Sequence, residues 1–244
     1  MGAATPLRPT TYATRRNELE QYFDQHAVEA WAALTSDAPV SKVRATVRAG
    51  RDAMRGTILK ALGPLEGLSL LDAGCGTGAL SAEAAAKGAA VTAVDISPTL
   101  VALGRERYAA ALPEGAPSAA GRIAFSAGDM LAVPGRFTHA VAMDSLIHYR
   151  LSDIIAAISA LAPQVDHRLV FTVAPRTPAL TLMHAAGKLF PRGDRSPAIV
   201  PVTTKRLIEA VANAPLLKDF ALAGTSRIQS GFYTSEAVVL ERLR

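Results

Sequence analysis

The sequence predicts an α/β fold in which helices cover both faces of a parallel, doubly wound sheet. From residue 68 to residue 174, short apolar runs alternate with helical segments, which is the pattern of parallel strands joined by crossover helices. A glycine-rich run, Asp72 to Gly78, stands where the first strand meets the first of these helices. The chain has 244 residues and half of them are apolar, which suits one large domain with a buried core.

Composition excludes several classes of protein. The single cysteine rules out a disulfide scaffold and fits a reducing compartment. No apolar run reaches the roughly 18 residues that a membrane-spanning helix needs, and residues 1–14 lack the apolar stretch of a signal peptide. We therefore expect a cytoplasmic protein, with peripheral contact at a membrane surface as the alternative.

The net charge of +5 is unevenly distributed along the chain. Residues 61–150 carry six basic and eight acidic side chains, whereas residues 151–244 carry eleven and seven. The strongest bias lies in residues 176–206, where six cations face only Asp194. Nucleic acid is disfavoured as a partner there, because Phe190 is the only Phe, Tyr or Trp on which a base could stack.

The predicted elements follow from apolar periodicity and from glycine and proline at the boundaries. The predicted helices are 15–33, 41–62, 79–87, 98–112, 152–161, 179–190 and 204–214, and the predicted strands are 68–73, 90–95, 122–127, 138–143, 168–174, 220–225 and 231–242. Ser97 and Ser152 are predicted N-caps, with Pro98 at the first helical position. The last two strands are separated by a short turn and should pair antiparallel.

Five prolines between residues 175 and 202 break the alternation of strands and helices. We interpret residues 175–202 as a cap-like insert that holds one short helix. Residues 1–62 are then an N-terminal helical arm, and residues 63–244 form the main domain that carries the insert.

The glycine-rich run carries the clearest functional signal. It reads Asp72-Ala-Gly74-Cys75-Gly76-Thr-Gly78, and Asp95 closes the next strand 17 residues after Gly78. Glycines allow the backbone to approach a ligand closely and to adopt positive φ. A carboxylate at the end of the second strand can accept both ribose hydroxyls of an adenosine. The spacing differs from the G-x-G-x-x-G of dinucleotide-binding folds, which disfavours a nicotinamide oxidoreductase.

This run resembles motif I of the class I S-adenosylmethionine-dependent methyltransferases. The resemblance implies a Rossmann-like, seven-stranded sheet with an antiparallel last strand, and S-adenosylmethionine as the cofactor. It places Asp129 at the adenine amine, and Asp72 near the cofactor's ammonium group or beside a water molecule. The cofactor-binding residues that it implies are Asp72, Gly74, Cys75, Gly76, Gly78, Asp95, Ile96, Asp129, Met130 and Asp144.

Two other kinds of site are disfavoured. Cys75 has no base nearby in the sequence, so we interpret it as a small buried loop residue rather than a nucleophile. The five histidines show no metal-ligand spacing with cysteine or carboxylates, so no metal site is expected.

Segments outside the glycine-rich run narrow the resemblance. The arm contains Tyr22-Phe23 and Trp31, the fourth strand ends in Leu146-Ile-His148-Tyr149, and the chain closes with Phe232-Tyr233-Thr-Ser235. Ala174-Pro175-Arg176 follows the fifth strand, and the insert contains Leu189-Phe190-Pro191. From about Tyr22 to its end, the chain resembles the magnesium protoporphyrin IX O-methyltransferases of bacteriochlorophyll and chlorophyll synthesis.

The resemblance implies methylation of one propionate carboxylate of Mg-protoporphyrin IX, which gives the monomethyl ester. Such a carboxylate is ionised at neutral pH, since its ordinary pKa is about 4–5, so the enzyme must align and desolvate it rather than deprotonate it. Tyr22 and His148 are the candidate catalytic residues that orient it. Candidates to hold the second propionate, which is not methylated, are Arg176, Lys188, Arg192 and Arg195. Candidates to offer apolar surface to the macrocycle are Trp31, Met54, Leu189 and Phe190.

Two alternative functions stay open. Another small-molecule O- or C-methyltransferase of the same fold, of the quinone or polyketide type, would need a general base, and His148 is available for it. A non-catalytic cofactor-binding subunit of a magnesium chelatase is disfavoured, because it need not keep Asp72 and Asp95. The resemblance also implies that the large porphyrin-binding subunit of the chelatase transfers the substrate to this protein. If the protein contacts a membrane surface, the resemblance implies that it is the photosynthetic membrane.

Overall fold

The computed structural model describes residues 10–25, 35, 41–111, 122–176 and 198–243. The helices and strands within these ranges are α1 (Thr10–Gln25), α2 (Lys42–Leu62), β1 (Ser69–Ala73), α3 (Ala79–Ala86), β2 (Ala90–Asp95), α4 (Pro98–Ala110), β3 (Ile123–Ala127), β4 (Phe137–Ala142), α5 (Leu151–Leu161), β5 (Val165–Val173), α6 (Thr204–Ala212), β6 (Phe220–Ser230) and β7 (Tyr233–Arg242). Short 3₁₀ turns follow β3, α5 and α6, at Met130–Ala132, Ala162–Gln164 and Pro215–Leu217.

The strands form one seven-stranded sheet in the order β3-β2-β1-β4-β5-β7-β6. The first five strands are parallel, and β7 pairs antiparallel with both β5 and β6. The predicted fold class is therefore confirmed. The chain winds outward from β1 to β3 and then returns to β4, so its direction reverses between β1 and β4. In such sheets, ligands bind at the carboxyl ends of the strands beside this reversal.

Each face of the sheet has its own apolar core. Leu70 and Leu71 are both fully buried, but they belong to different clusters because neighbouring strand residues point to opposite faces. One cluster joins the sheet to α2, α3 and α4, and the other joins it to α1, α5 and α6. The near-continuous apolar runs in the parallel strands follow from burial on both faces.

Some predicted boundaries were wrong. Helix α1 begins at Thr10 rather than at residue 15, and residues 26–33 of the predicted arm helix lie outside the described residues. Ser152 does not cap α5, because the helix begins one residue earlier and its N-cap is Arg150, which makes no side-chain cap. Ser97 does cap α4, since its Oγ accepts the Leu100 N–H at 3.2 Å. The predicted helix 179–190 also lies outside the described residues.

Among the described residues, no helix combines the length and the apolar character that crossing a membrane requires.

His139 is a buried ionisable group at the opposite end of the sheet from the carboxyl ends. It is 1% exposed, and its Nδ1 has no hydrogen-bond partner among the described residues. Burial lowers the pKa of His139 to about 4; nearby His167 and Arg168 act in the same direction, whereas Glu241 opposes them. The folded protein therefore holds this imidazole neutral where the unfolded chain would begin to protonate it.

We expect the free energy of unfolding to fall as pH drops from about 6.5 to 4, because the unfolded chain binds a proton at His139 that the folded protein rejects. Replacement by a group that does not titrate, His139→Phe, should remove about 1–3 kcal/mol of this loss. Urea denaturation at pH 7 and pH 5 measures the loss of unfolding free energy in the wild type and in the variant. Equal losses in the two proteins would show that His139 is not the responsible group.

Candidate functional site

A cleft opens at the carboxyl ends of the parallel strands, beside the reversal between β1 and β4. It encloses about 970 Å³, part of which is open to solvent. Its walls come from the glycine-rich loop after β1, the ends of β2, β3 and β4, and helices α1 and α2. Of the residues predicted to bind the cofactor or to act in catalysis, those that line it are Asp72, Gly74, Cys75, Gly76, Asp95, Ile96, Met130, Asp144 and His148.

The glycine-rich loop adopts a shape that only glycine allows at its first and last positions. Gly74 has a φ of 90°, and a Cβ there would lie 2.3 Å from Cβ of Ser145. A Cβ on Gly78, whose φ is 75°, would lie 2.7 Å from the ring of Phe125. The loop is therefore packed between the ends of β3 and β4, and its backbone forms the floor of the cleft.

Asp95 fixes this loop to the end of β2. Its Oδ2 accepts the N–H of Gly76 at 2.8 Å, and its Oδ1 accepts the N–H of Ser97 at 3.0 Å. Burial raises the pKa of Asp95, while these backbone N–H groups act in the opposite direction. Each oxygen has a further lone pair, so the carboxylate can still accept hydroxyl donors from the cleft.

Asp72 is the most deeply buried carboxylate of the cleft, with 1% of its surface exposed. Its Oδ2 accepts the Ser81 hydroxyl at 2.6 Å. Burial raises the pKa of Asp72 to about 6, the Ser81 hydroxyl lowers it, and the nearby charge of Asp95 raises it. Asp72 therefore carries a negative charge at neutral pH, and no cation of the described part of the chain is paired with it, which suits a cationic ligand group.

Cys75 lies in the loop as a partly buried residue. Burial and the charges of Asp72 and Asp95 raise the pKa of its thiol well above the ordinary value. A thiol that stays protonated is a poor nucleophile, in agreement with the interpretation of Cys75 as a loop residue.

Helix α1 closes one side of the cleft through polar contacts to three parts of the main domain. Arg15 donates to the backbone oxygens of His148 and Ala198, at 3.1 and 2.9 Å. Asp24 accepts the hydroxyls of Ser97 and Thr99, at 3.0 and 2.7 Å. The helix also places Tyr12, Leu19 and Phe23 in the cleft wall.

Asp129 connects this helix with the end of β3. Its carboxylate accepts the Tyr12 hydroxyl at 3.2 Å, the Arg16 guanidinium at 2.8 Å and the N–H of Leu131 at 2.9 Å. Neighbouring Gly128 and Met130 line the cleft, whereas Asp129 itself is not among the lining residues. The adenine contact predicted for Asp129 therefore stays a prediction, and the observed partners tie α1 to the edge of this region.

His148 and Tyr22, the two candidate catalytic residues, differ in position. His148 lines the cleft and is 8% exposed, with Nδ1 lying 3.3 Å from the backbone oxygen of Ala198. Tyr22 is not among the lining residues, but its ring contacts Phe23 edge-on at 5.4 Å. Phe23 does line the cleft, and its ring lies 6.0 Å from His148. Burial raises the pKa of Tyr22, so its phenol stays neutral.

Asp144, at the end of β4, is surrounded by protein groups. Its carboxylate accepts the Arg51 guanidinium at 2.8 Å, the Tyr233 hydroxyl at 3.2 Å, and the hydroxyls of Thr172 and Ser235 at 3.1 and 3.2 Å. Asp144 also has a φ of 54°, the one positive φ of a non-glycine residue in the described ranges. We call these five residues the Asp144 cluster.

The comparisons with known proteins agree on one family. A model of the magnesium-protoporphyrin IX methyltransferase C-terminus matches residues 142–242, and a general methyltransferase-domain model matches residues 70–165. A magnesium-protoporphyrin O-methyltransferase from Rhodobacter capsulatus is 45% identical over 234 residues, covering 94% of this chain and 98% of that protein. This chain belongs to the magnesium-protoporphyrin O-methyltransferase family. A member from Synechocystis is 31% identical and covers 93% of this chain and 95% of its own.

A solved structure of the family shows the same architecture. The crystal structure of magnesium protoporphyrin IX methyltransferase from Synechocystis, with bound SAH, superposes with a TM-score of 0.80 at 28% identity. The match covers 93% of this chain and 99% of that one.

The predicted porphyrin contacts differ in where they lie in the structure. Six of them lie outside the described residues: Trp31, Lys188, Leu189, Phe190, Arg192 and Arg195. Arg176 is exposed and is not among the residues lining the cleft. Met54 was wrongly assigned, because it is fully buried in the core between α2 and the sheet. Among the described residues, no group of three His, Cys, Asp or Glu is arranged to hold a metal ion.

Sequence reasoning missed the partners of Asp144. Tyr233 and Ser235 belong to the family-like end of the chain, and their spacing of two on a strand places both on one face. That spacing indicates a shared partner but does not identify it. Nothing in the sequence pairs Arg51 or Thr172 with Asp144, because these contacts join residues distant in sequence.

Gly50 allows the close approach of α2 to β7 that brings Tyr233 to the cluster. A Cβ at Gly50 would lie 2.4 Å from a ring carbon of Tyr233. We therefore expect Gly50→Ala to lower the free energy of unfolding by about 1–3 kcal/mol through overpacking. Gly56→Ala on the same helix meets nothing within 4 Å and should stabilise by about 0.5–1 kcal/mol. Urea denaturation compares the pair, and equal effects would contradict this packing role.

Asp72→Asn should stabilise the ligand-free protein at neutral pH, because it removes a buried charge while keeping an acceptor for Ser81. The folded pKa of about 6 lies above the ordinary 3.8, so ionisation opposes folding: the loss grows from pH 4 to 6 and is complete above 6. We expect a gain of up to about 3 kcal/mol at pH 7.5. Denaturation at pH 7.5 and 4 checks this, and a gain that persists at pH 4 would refute its electrostatic origin.

Proposed function

We propose that this protein transfers a methyl group from S-adenosylmethionine to a propionate carboxylate of Mg-protoporphyrin IX, giving the monomethyl ester. The observation that carries the proposal is the cleft formed by the glycine-rich loop, Asp72 and Asp95, in a chain that is 45% identical to a magnesium-protoporphyrin O-methyltransferase over most of its length. The related Synechocystis structures contain SAH or SAM.

The chemistry of the cleft fits this cofactor. Asp95 can accept the ribose hydroxyls, and the glycine loop allows the close approach that the adenosine and the methionine part need. The buried charge of Asp72 suits the cofactor's ammonium group. When bound, the cofactor supplies a methyl group on a positively charged sulfur, and the cleft residues hold and orient it.

The substrate carboxylate is already ionised, so the protein's task is alignment and exclusion of water. Correct alignment of two reactants is worth up to about 7–11 kcal/mol. Helix α1 is placed to exclude water, because Tyr12, Leu19 and Phe23 form an apolar side of the cleft. A strong ion pair to the reacting carboxylate would weaken it as a nucleophile, so neutral or weakly bound donors suit this position better.

Tyr22 and His148 are proposed to orient the carboxylate. The neutral phenol of Tyr22 is a donor that does not form an ion pair. The contact of 3.3 Å between Nδ1 of His148 and the carbonyl oxygen of Ala198 holds the ring in place at the cleft.

The direct test is to mix the protein, S-adenosylmethionine and Mg-protoporphyrin IX and to detect the monomethyl ester by chromatography. The expected result is ester formation that needs both small molecules. If the protein binds the cofactor but forms no monomethyl ester, Mg-protoporphyrin IX is not its substrate. Methylation of a quinone or polyketide hydroxyl instead would favour the alternative methyltransferase, in which His148 acts as a general base.

We expect Tyr22→Phe and His148→Asn each to lower kcat/KM about two- to tenfold, as for the loss of a neutral hydrogen bond. Affinity for S-adenosylhomocysteine, measured by calorimetry, should stay near that of the wild type. Tyr108→Phe and His167→Asn are matched controls away from the cleft. Near-wild-type kcat/KM in both test variants would exclude the proposed roles.

Substrate delivery and location complete the proposal. The basic flanks are proposed to dock on the large porphyrin-binding subunit of magnesium chelatase, because residues 1–60 and 151–244 carry the excess of positive charge. The protein is placed in the cytoplasm, with at most peripheral contact with the photosynthetic membrane. Salt-sensitive co-purification with that subunit, and flotation with anionic lipid vesicles, test the two parts separately.

A further inference from the structure

Arg51 brings a positive charge into the cleft wall from α2. It lines the cleft, its side chain is 18% exposed, and its Nη1 lies 2.8 Å from Oδ2 of Asp144. A second cation, Arg55, also lines the cleft one turn later. Arg55 is paired with Glu83 of α3 at 2.7 Å and with Asp52 of α2 at 2.9 Å, so both of its acidic partners lie on helices. Arg51 is thus the lining cation that is anchored at the carboxyl end of a strand.

The anchor of Arg51 is rigid. Asp144 has positive φ, and its N–H donates to the Thr172 hydroxyl at 2.7 Å. Its two carboxylate oxygens accept hydroxyls from Tyr233 and Ser235 on β7 as well as the guanidinium of Arg51. A non-glycine residue held in the left-handed region is strained, and such strain is often found at functional sites. In this backbone conformation the Asp144 carboxylate pairs with Arg51 at the wall of the cleft.

The order of the strands gives the direction of a bound cofactor. Asp95 ends β2, the glycine loop follows β1, and Asp144 follows β4, with β1 in the middle. Neighbouring strands are about 4.8 Å apart, so the two outer sites are about 10 Å apart. A cofactor whose ribose is held at Asp95 would extend its methionine part over the glycine loop towards β4, and its charged end would then lie beside Asp72 and Arg51.

The charges at this end match an amino acid. Asp72 offers a buried negative charge for the ammonium group, and Arg51 offers the positive charge that a carboxylate needs. A guanidinium has five N–H donors in a planar fork, so one Arg can hold Asp144 and a second carboxylate together. Opposite charges on the two sides of the glycine loop therefore complement the zwitterionic end of the ligand.

We infer that Arg51 binds the α-carboxylate of the cofactor's methionine part, with the Asp144 cluster as its positioning support. This inference rests on the proposed use of S-adenosylmethionine. Arg51 is then a cofactor-recognition residue that selects ligands by their carboxylate rather than a contact to the porphyrin.

The test compares three ligands by isothermal titration calorimetry: S-adenosylhomocysteine, its decarboxylated amine analogue and methylthioadenosine. Arg51→Met should weaken binding of S-adenosylhomocysteine about tenfold to a hundredfold, as for a lost charged hydrogen bond, and leave the two ligands without a carboxylate unchanged. Arg44→Met makes the same charge change at an exposed position of the same helix and should leave all three affinities unchanged.

Arg51→Met leaves Asp144 without its cation, so two further variants protect the test from misfolding. The double variant Arg51→Met with Asp144→Asn removes both charges, and Arg51→Lys keeps the charge but loses the fork. Both variants should lose affinity for S-adenosylhomocysteine and not for the other two ligands, and the loss should be smaller for Arg51→Lys. Circular dichroism confirms that each variant is folded.

Two results would overturn the inference. Equal weakening of all three ligands would show that Arg51 only supports the shape of the cleft. Unchanged affinity for S-adenosylhomocysteine with a raised KM for Mg-protoporphyrin IX would show that Arg51 faces a porphyrin carboxylate instead. Wild-type protein that binds S-adenosylhomocysteine but makes no ester would remove the proposed substrate, and the affinity comparison would still decide the role of Arg51.

Discussion

The buried carboxylate of Asp144 is the constraint on which the cleft depends. A carboxylate that is 9% exposed is strongly destabilising unless charge and hydrogen bonds compensate it. The compensation comes from Arg51 on α2, Thr172 on β5, and Tyr233 and Ser235 on β7. Because these groups come from three elements, satisfying one carboxylate at the end of β4 fixes the positions of α2 and of the antiparallel strand β7.

The same physical requirement acts at the other strand ends. Asp95 is held by backbone N–H groups of the glycine loop and of Ser97, and Asp129 is held by Tyr12 and Arg16 of α1. The carboxyl ends of parallel strands lie at one edge of the sheet, so acidic residues there lie in or beside one cleft. The partners of each acid determine its structural role. Asp95 binds backbone N–H groups and so fixes the glycine loop, whereas Asp129 binds side chains of α1 and so holds that helix beside the cleft.

Much of the fold was predictable, because apolar runs, glycines and proline at a helix start are local signals. The strand bounds of β2 agree to the residue, and Ser97 caps α4 as expected. One wrong boundary has a local cause and another accompanies a tertiary contact. Ser152 has the right chemistry for a cap, but the preceding turn starts the helix at Leu151. Tyr12 precedes the predicted arm helix, yet it packs on Tyr149 with ring centres 5.0 Å apart, and this tertiary contact accompanies an earlier start of α1.

The sequence by itself determined the sheet, the cofactor loop, its acidic partner Asp95 and the family resemblance, because each depends on residues close together in the chain. Tertiary structure alone decided which protein donors surround Asp144, whereas the cofactor contact predicted for this residue stays a prediction. It also decided that Arg51 reaches the cleft, that Met54 is core, and that α1 is tied to Asp129. These facts depend on side chains that lie far apart in sequence, and only the packing of helices onto the sheet brings them within bonding distance.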